Sequence, residues 1–281
     1  MTATDTLQVT DGFVDVPGFR VHYVEAGAGH PVVLLHGSGP GATGMTNFAP
    51  NIGPLAERFR VIAVDMPGWG ESDTQTDETG RDHVRVLVGL LDRLGIDRAA
   101  LVGNSMGGVT AVSTAVLHPE RVSHLVTMGT PAPFQGAFPP GGLTEGLKVL
   151  MHAYREPTPQ NMKRLVQVMC FDQRVATDEL AEARSAAALA RPEHLDGWNS
   201  QFDGPPALPP YFELAARLGT VAAPALIVHG RDDRVVHYEN SLHLVTRIPD
   251  SRMVLFNRCG HWAQIEHAAE FNRLVADFVG H

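Results

Sequence analysis

Short, unbroken runs of aliphatic residues recur along the chain: PVVLLH from residue 31, RVIAVD from 60, AALVG from 99, HLVTMG from 124, PALIVHG from 224 and RMVLFN from 252. Their apolar positions do not alternate with polar ones, which predicts strands covered on both faces, as in a parallel sheet flanked by helices. Residues 12–28 alternate instead, as FVDV and FRVHYVEAG around Pro17-Gly18, and predict a hairpin. Between Met128 and Pro224 the strand rhythm stops. Leu147, Leu150, Met151 and Tyr154 recur at helical spacing, as do Met162, Leu165, Val166 and Met169 behind a Thr158 N-cap with Pro159 at the first helical position. Thr177-Asp-Glu predicts the start of a third helix. The proline-rich FDGPPALPP from 202 closes the segment as extended or turning chain. The pattern therefore predicts an α/β core, residues 1–134 and 216–281, carrying a helical lid inserted at 135–215.

Composition narrows the function classes. The chain of 281 residues is 44% hydrophobic and 19% charged, and its net charge is −9. With no basic excess to release counterions, nucleic acid and anionic membranes are excluded as expected partners. Two cysteines, Cys170 and Cys259, form neither a disulfide framework nor a metal-ligand spacing. The start MTATDTLQVTDG lacks the basic and apolar regions of a signal peptide, and no run reaches the length of a membrane helix. A cytoplasmic location is the expectation.

The strongest chemical signal is Gly103-Asn104-Ser105-Met106-Gly107, set between the run AALV and the small-residue helix pattern VTAVSTAV. This is G-x-S-x-G in its required strand–turn–helix context, where the strained turn exposes a serine at a helix N-terminus. A serine nucleophile needs a base and an acid to orient it, in chain order Ser, acid, His. PALIVHGRDDRVV supplies Asp232 and Asp233; Asp233 is preferred because it stands three residues beyond the turn glycine Gly230. His261 is preferred over His229, His237, His243 and His267, because it follows a strand end and Gly260 frees the backbone before it. In that arrangement Ser105 attacks, His261 relays the proton and Asp233 fixes the imidazole tautomer.

HGSGPGATG, from His36 to Gly44, contains a G-x-G-x-x-G pattern, and Asp65 follows about where a ribose-binding acid would stand. Two features oppose a dinucleotide site: three residues separate Leu35 from Gly39, and Pro40 removes an N–H where a pyrophosphate would be cradled. Acyl chemistry needs backbone N–H groups aimed at an oxyanion, from the residue after the nucleophile, Met106, and from this loop, at Ser38. Asp65 then reads as a structural turn residue. In the lid, Arg184 shares a helical face with Leu180, Ala187 and Ala188, and no acid lies three or four residues away. An arginine so placed either snorkels to solvent or binds an anion such as a substrate carboxylate.

With HGSGPGATG and Asn47-Phe48, GNSMGG, FDQRVATDEL with its downstream arginine, GRDDR and CGHWAQIEH in place, the sequence closely resembles the meta-cleavage product hydrolases over nearly its whole length. The resemblance implies an α/β-hydrolase fold with a helical lid and cleavage of the C5–C6 bond of 2-hydroxy-6-oxohexa-2,4-dienoates. It implies no metal and no organic cofactor, and a homo-oligomer. Ser105, Asp233 and His261 match the family triad, and Ser38 with Met106 its oxyanion donors. Gly39, Asn47, Asn104, Arg184 and Trp262 match positions that hold the dienoate end. Three positions depart from the family: Met45 stands where a tryptophan is common, Met169-Cys170 replace a lid aromatic, and His237 replaces a proline. The first two are expected to reshape the pocket. A carboxylesterase or lactonase with the same triad, a haloperoxidase-like activity, and a ligand receptor on the same scaffold are the rival readings.

Overall fold

Eight strands form one sheet in the order β1-β2-β4-β3-β5-β6-β7-β8 in a computed structural model that describes residues 8–74, 82–133, 143–202 and 210–281. The edge hairpin pairs β1 (Thr10–Val16) with β2 (Phe19–Ala26), and β2 runs antiparallel to β4 (Arg60–Val64). The other strands are parallel: β3 (Pro31–Leu35), β5 (Ala99–Asn104), β6 (Val122–Met128), β7 (Ala225–Gly230) and β8 (Ser251–Phe256). The buried runs of the sequence thus become the parallel strands, and the alternating segment becomes the hairpin.

Side-chain alternation along β3 explains the double cover. Val33 and Leu35, with Ile62 and Val64 of β4, face one apolar layer that also holds Leu90 of α2 (His83–Arg93) and Ala111 and Val112 of α3 (Met106–Leu117). Val32, Leu34, Val61 and Ala63 face the other, with Phe48, Ile52 and Leu55 of α1 (Gly44–Ala56). From β3 the chain steps outward to β4 and then crosses back over β3 to β5, whose successor lies on the opposite side. The loops leaving β3 and β5 therefore diverge, opening a crevice at the carboxyl ends of the strands, where open α/β sheets place their sites.

Between β6 and β7 the described residues hold no strand. They form α4 (Glu145–Arg155), α5 (Pro159–Met169), α6 (Asp178–Leu189) and α7 (Pro192–Asn199). Thr144, Thr158 and Thr177 each cap their helix by accepting the N–H three residues on. Most of the proline-rich stretch and residues 135–142 lie outside the described residues. The core closes with α8 (Glu239–Val245), α9 (Ala263–Glu266) and α10 (Ala268–Val279). Among the described residues no helix is long and apolar enough to cross a membrane.

Candidate active site

Backbone geometry sets Ser105 apart. It joins β5 to α3 with φ 53° and ψ −113°, a conformation that costs a non-glycine residue on the order of 1–3 kcal/mol. The turn closes because its glycines have no side chains: a Cβ on Gly103 would lie 2.3 Å from Gly107 O, and one on Gly107 would lie 2.1 Å from Leu35 O. The Ser105 N–H donates to Met128 O at 2.8 Å, anchoring the turn to β6. Its side chain makes no capping bond to α3. The hydroxyl is therefore not spent on the helix, and the first-turn N–H groups, that of Met106 among them, sit at the positive end of the helix dipole.

Asp233 follows β7 and His261 follows β8. His261 Nδ1 donates to Asp233 Oδ2 at 2.7 Å, with both side chains buried. The other oxygen, Oδ1, accepts the N–H groups of Val235 and Val236 at 2.7 and 2.9 Å. Burial by itself would raise the Asp233 pKa, but His261 and His229 hold the carboxyl far below the usual carboxylate range. An ionised Asp233 keeps the proton on His261 Nδ1 and leaves Nε2 basic. The neighbouring Asp232 is turned elsewhere, accepting the Cys259 N–H at 3.4 Å and pairing with Arg231.

Ser105 and His261 are both tied to the end of β6. A Cβ on Gly129 would lie 2.7 Å from His261 Nδ1, and its neighbour Met128 holds the Ser105 N–H. The Asn104 amide donates to both Met128 O and His261 O, at 3.2 and 3.3 Å. On the opposite side a Cβ on Gly37 would lie 3.3 Å from Ser105 Cβ and 2.9 Å from Asn104 Oδ1. His36 fastens this loop: Nδ1–H donates to Gly37 O at 2.8 Å, and Nε2 accepts the Met66 N–H at 2.9 Å. Burial lowers the His36 pKa, which suits the neutral ring those bonds require. Half-buried Ser38 follows, directly before Gly39.

The glycine pattern around Gly39 spends its donors internally. Gly39 N–H donates to Gly37 O, Ala42 N–H to Gly39 O, and Gly44 N–H to Asp65 Oδ1 at 2.7 Å. Asp65 Oδ2 accepts from Glu71 N–H and His22 Nδ1. The loop thus has little left for a pyrophosphate, and Asp65 is a structural junction. Among the described residues no group of three His, Cys, Asp or Glu is placed to hold a metal ion.

Arg184 is buried, at 7% exposure, and its Nε and Nη2 make no hydrogen bond. Its guanidinium carbon lies 5.2 Å from the centroid of the buried Trp262 ring, and a Cβ on Gly39 would come within 2.8 Å of Nη2. The head group therefore abuts the same loop that touches Ser105. Burial pushes its pKa down. The helical face differs from the sequence expectation: Ala181, Arg184, Ser185 and Ala188 are buried, while Leu180 is half-buried and Ala187 exposed. Asn47, on the first turn of α1, accepts from Gln264 Nε2 through Oδ1 at 3.1 Å, which turns its amide nitrogen the other way. Met45 is 37% exposed on α1, whereas Met169 and Cys170 are buried.

Two positioning contacts were hidden from sequence reasoning. His36, directly after β3, read as nothing more than loop. His229, set aside as a packing residue, places Nε2 3.2 Å from Asp233 Oδ2 while bonding Val236 O and Ser241. Each histidine stands at a strand end one residue before a turn glycine, which is the one local signal they carry.

A family model for the alpha/beta hydrolase fold matches residues 30–268. A 2-hydroxy-6-oxononadienedioate/2-hydroxy-6-oxononatrienedioate hydrolase of Cupriavidus pinatubonensis is 46% identical over 93% of this chain and 91% of its own. A 2-hydroxy-6-oxo-6-phenylhexa-2,4-dienoate hydrolase of Comamonas testosteroni is 42% identical over 94% and 93%. Among solved structures, the meta-cleavage product hydrolase CumD of Pseudomonas fluorescens IP01, a variant complexed with acetates, superposes with a TM-score of 0.84 at 34% identity, covering 96% of this chain and 97% of its own. With this likeness spanning both the sheet and the helical insertion, the chain belongs to the α/β-hydrolase family and, within it, to the meta-cleavage product hydrolases.

Proposed function

We propose that this chain hydrolyses the C5–C6 bond of 2-hydroxy-6-oxohexa-2,4-dienoate-type compounds from aromatic degradation, giving 2-hydroxypenta-2,4-dienoate and a carboxylic acid. The observation that carries the reading is Arg184: a buried cation with unmet N–H groups, above Trp262 and against the loop beside Ser105. A buried unpaired charge is costly, and a bidentate carboxylate offsets that cost. A neutral ester offers it an uncharged acceptor but neither the charge nor the bidentate geometry. The names of the two relatives, both dienoate hydrolases, agree with this.

In the proposed sequence Arg184 holds the C1 carboxylate, with Asn47 and Asn104 beside it, and the helices α4 to α7 of the insertion cover the site as a lid. The dienol ketonises by taking a proton at C5. Ser105 then adds to the C6 carbonyl while His261 Nε2 takes its proton, and the resulting oxyanion is received by the N–H groups of Ser38 and Met106. The C5–C6 bond breaks, its electron pair passing into the vinylogous 2-oxo acid as a dienolate, whose C2 oxygen takes the proton back from His261 Nε2 to leave as 2-hydroxypenta-2,4-dienoate. Water, deprotonated by His261, releases the C6 acyl group from Ser105 as a carboxylic acid. A cytoplasmic homo-oligomer belongs to the same reading; two free, buried thiols suit a reducing compartment.

The test follows loss of the yellow dienolate for substrates carrying methyl, isopropyl, phenyl or carboxyethyl at C6. Wild type clears at least one of them, while Ser105→Ala still binds it and turns over about 10,000-fold more slowly. Hydrolysis of aryl esters with no turnover of any dienoate would replace this reading with an esterase.

A further inference from the structure

A carboxylate outside the triad joins the lid to the loop that carries the base. Glu266, the last residue of α9, accepts the Gly260 N–H through Oε1 at 2.7 Å. Its other oxygen, Oε2, accepts the N–H groups of Phe171 and Asp172 at 2.7 and 2.9 Å. Gly260 immediately precedes His261, and Phe171 and Asp172 follow Cys170, the C-cap of α5. The two backbones meet directly as well. The His261 N–H donates to Met169 O at 2.6 Å, and a Cβ on Gly260 would lie 2.4 Å from that same oxygen.

We propose that Glu266 is a positioning residue: its carboxylate locks the C-terminal end of α5 to the His261 loop, so that the lid and the general base share one frame. The proposal rests on the reading of Ser105 and His261 as nucleophile and base. Its chemical sense comes from where the neighbouring helix leads. α5 packs against α6, a seam that Lys163 and Asp178 close at 2.6 Å, and α6 carries Arg184. A dienoate gripped at one end by Arg184 must present C6 to Ser105 and His261 at the other. A slip between α5 and the His261 loop would shift His261 relative to Ser105 and misplace the two ends of the substrate relative to each other, without removing any group that binds. Three charge-assisted bonds converging on one carboxylate resist such a slip, since each is stronger than a neutral bond. Two of the three come from the lid and one from the core.

The experiment compares full-length Glu266→Ala and Glu266→Gln with wild type, well below the melting transition of each. Turnover of 2-hydroxy-6-oxo-6-phenylhexa-2,4-dienoate is measured alongside phosphonylation of Ser105 by a fluorophosphonate, which needs the base but neither the dienoate nor Arg184. In Glu266→Ala, kcat and the phosphonylation rate fall together by about 10- to 100-fold while KM stays within about threefold of wild type. Glu266→Gln, which keeps one acceptor oxygen, falls between the two and serves alone if the alanine variant does not fold. Wild-type rates of both reactions in folded variants would overturn the proposal, as would a rise in KM with both rates unchanged. If wild type cleaves no dienoate but phosphonylation still falls in Glu266→Ala, the substrate reading fails and the positioning role stands.

Discussion

At Arg184 the stability of the fold and the proposed grip on a carboxylate pull in opposite directions. Its guanidinium is 7% exposed and has two nitrogens without a hydrogen-bond partner. The ring of Trp262 offers a cation–π contact, worth roughly 0.5–2 kcal/mol. Leaving a charge buried without its partner costs several kcal/mol, so the arginine is a net burden on the unliganded fold. Arg184→Met, similar in length and uncharged, is therefore expected to raise the melting temperature of the free protein by about 2–4 °C, the equivalent of roughly 1 kcal/mol in a chain of this size. The same change should raise KM for a dienoate about 100-fold, because the anion loses its bidentate partner. Calorimetry of the free protein together with initial rates checks both arms. A fall in melting temperature would mean that the guanidinium is compensated in solution, and an unchanged KM would remove it from the site.

At the scale of elements, the turn into α3 is held open for Ser105 by contacts that forbid side chains. Gly107 and Gly108 differ in what a methyl group would strike. A Cβ on Gly107 meets the backbone oxygens of Leu35 and His36, at 2.1 and 2.8 Å, where β3 passes into the loop that carries Ser38. A Cβ on Gly108 meets the side chain of Thr130, whose Cβ and Cγ2 lie 2.9 and 3.0 Å away beside its hydroxyl, on the loop after β6 and not in a strand. Gly107→Ala should thus cost roughly 1–3 kcal/mol of stability and push Ser38 away from Met106, lowering activity, while Gly108→Ala costs less. Chemical denaturation of both variants decides it; equal losses would show that the two contacts yield alike. These turns were also the part of the molecule most open to sequence reading. A glycine at a turn, a serine between strand and helix, and an acid three residues past Gly230 are local requirements, so the Ser105 turn and the contact of Asp233 with His261 could be anticipated from spacing. The strand runs and the threonine caps of α4, α5 and α6 were readable for the same reason. His229 and Glu266 were not, because their partners lie on other turns and elements and nothing in a residue's neighbours announces a carboxylate or an amide arriving from elsewhere. The buried face of α6 includes Ser185 and leaves Ala187 exposed for a similar reason: periodicity marks a stripe, and the packing partner chooses its centre.

For the molecule as a whole, one buried junction ties the edge hairpin to the parallel sheet and gives stability a pH signature. His22 of β2 places Nδ1 2.8 Å from Asp65 Oδ2 and Nε2 2.6 Å from Asp11 Oδ1 of β1. Asp65 also accepts the N–H of Gly44, which opens α1, and that of Glu71. The hydrogen bond to Asp65, opposed by burial and aided by Asp11, pushes the His22 pKa up to about 9. In the unfolded chain an imidazole titrates near 6.5. Below about pH 6.5 both states carry the proton, and the junction contributes its full stabilisation. Between about 6.5 and 9 the folded state alone holds the proton, so unfolding releases it and stability declines as pH rises; above 9 the contribution is gone. Asp11 is largely exposed, and solvent screening keeps the effect to the order of 1 kcal/mol. The chain has 14 histidines, so the informative quantity is a difference between two proteins. His22→Gln should melt lower than wild type by about 2–4 °C at pH 6 and converge with it by pH 9.5. Parallel curves across that range would show that His22 is not protonated in the fold. Convergence would instead establish that the wall carrying Gly44 and Asn47 is held to the hairpin by a charge that rising pH removes.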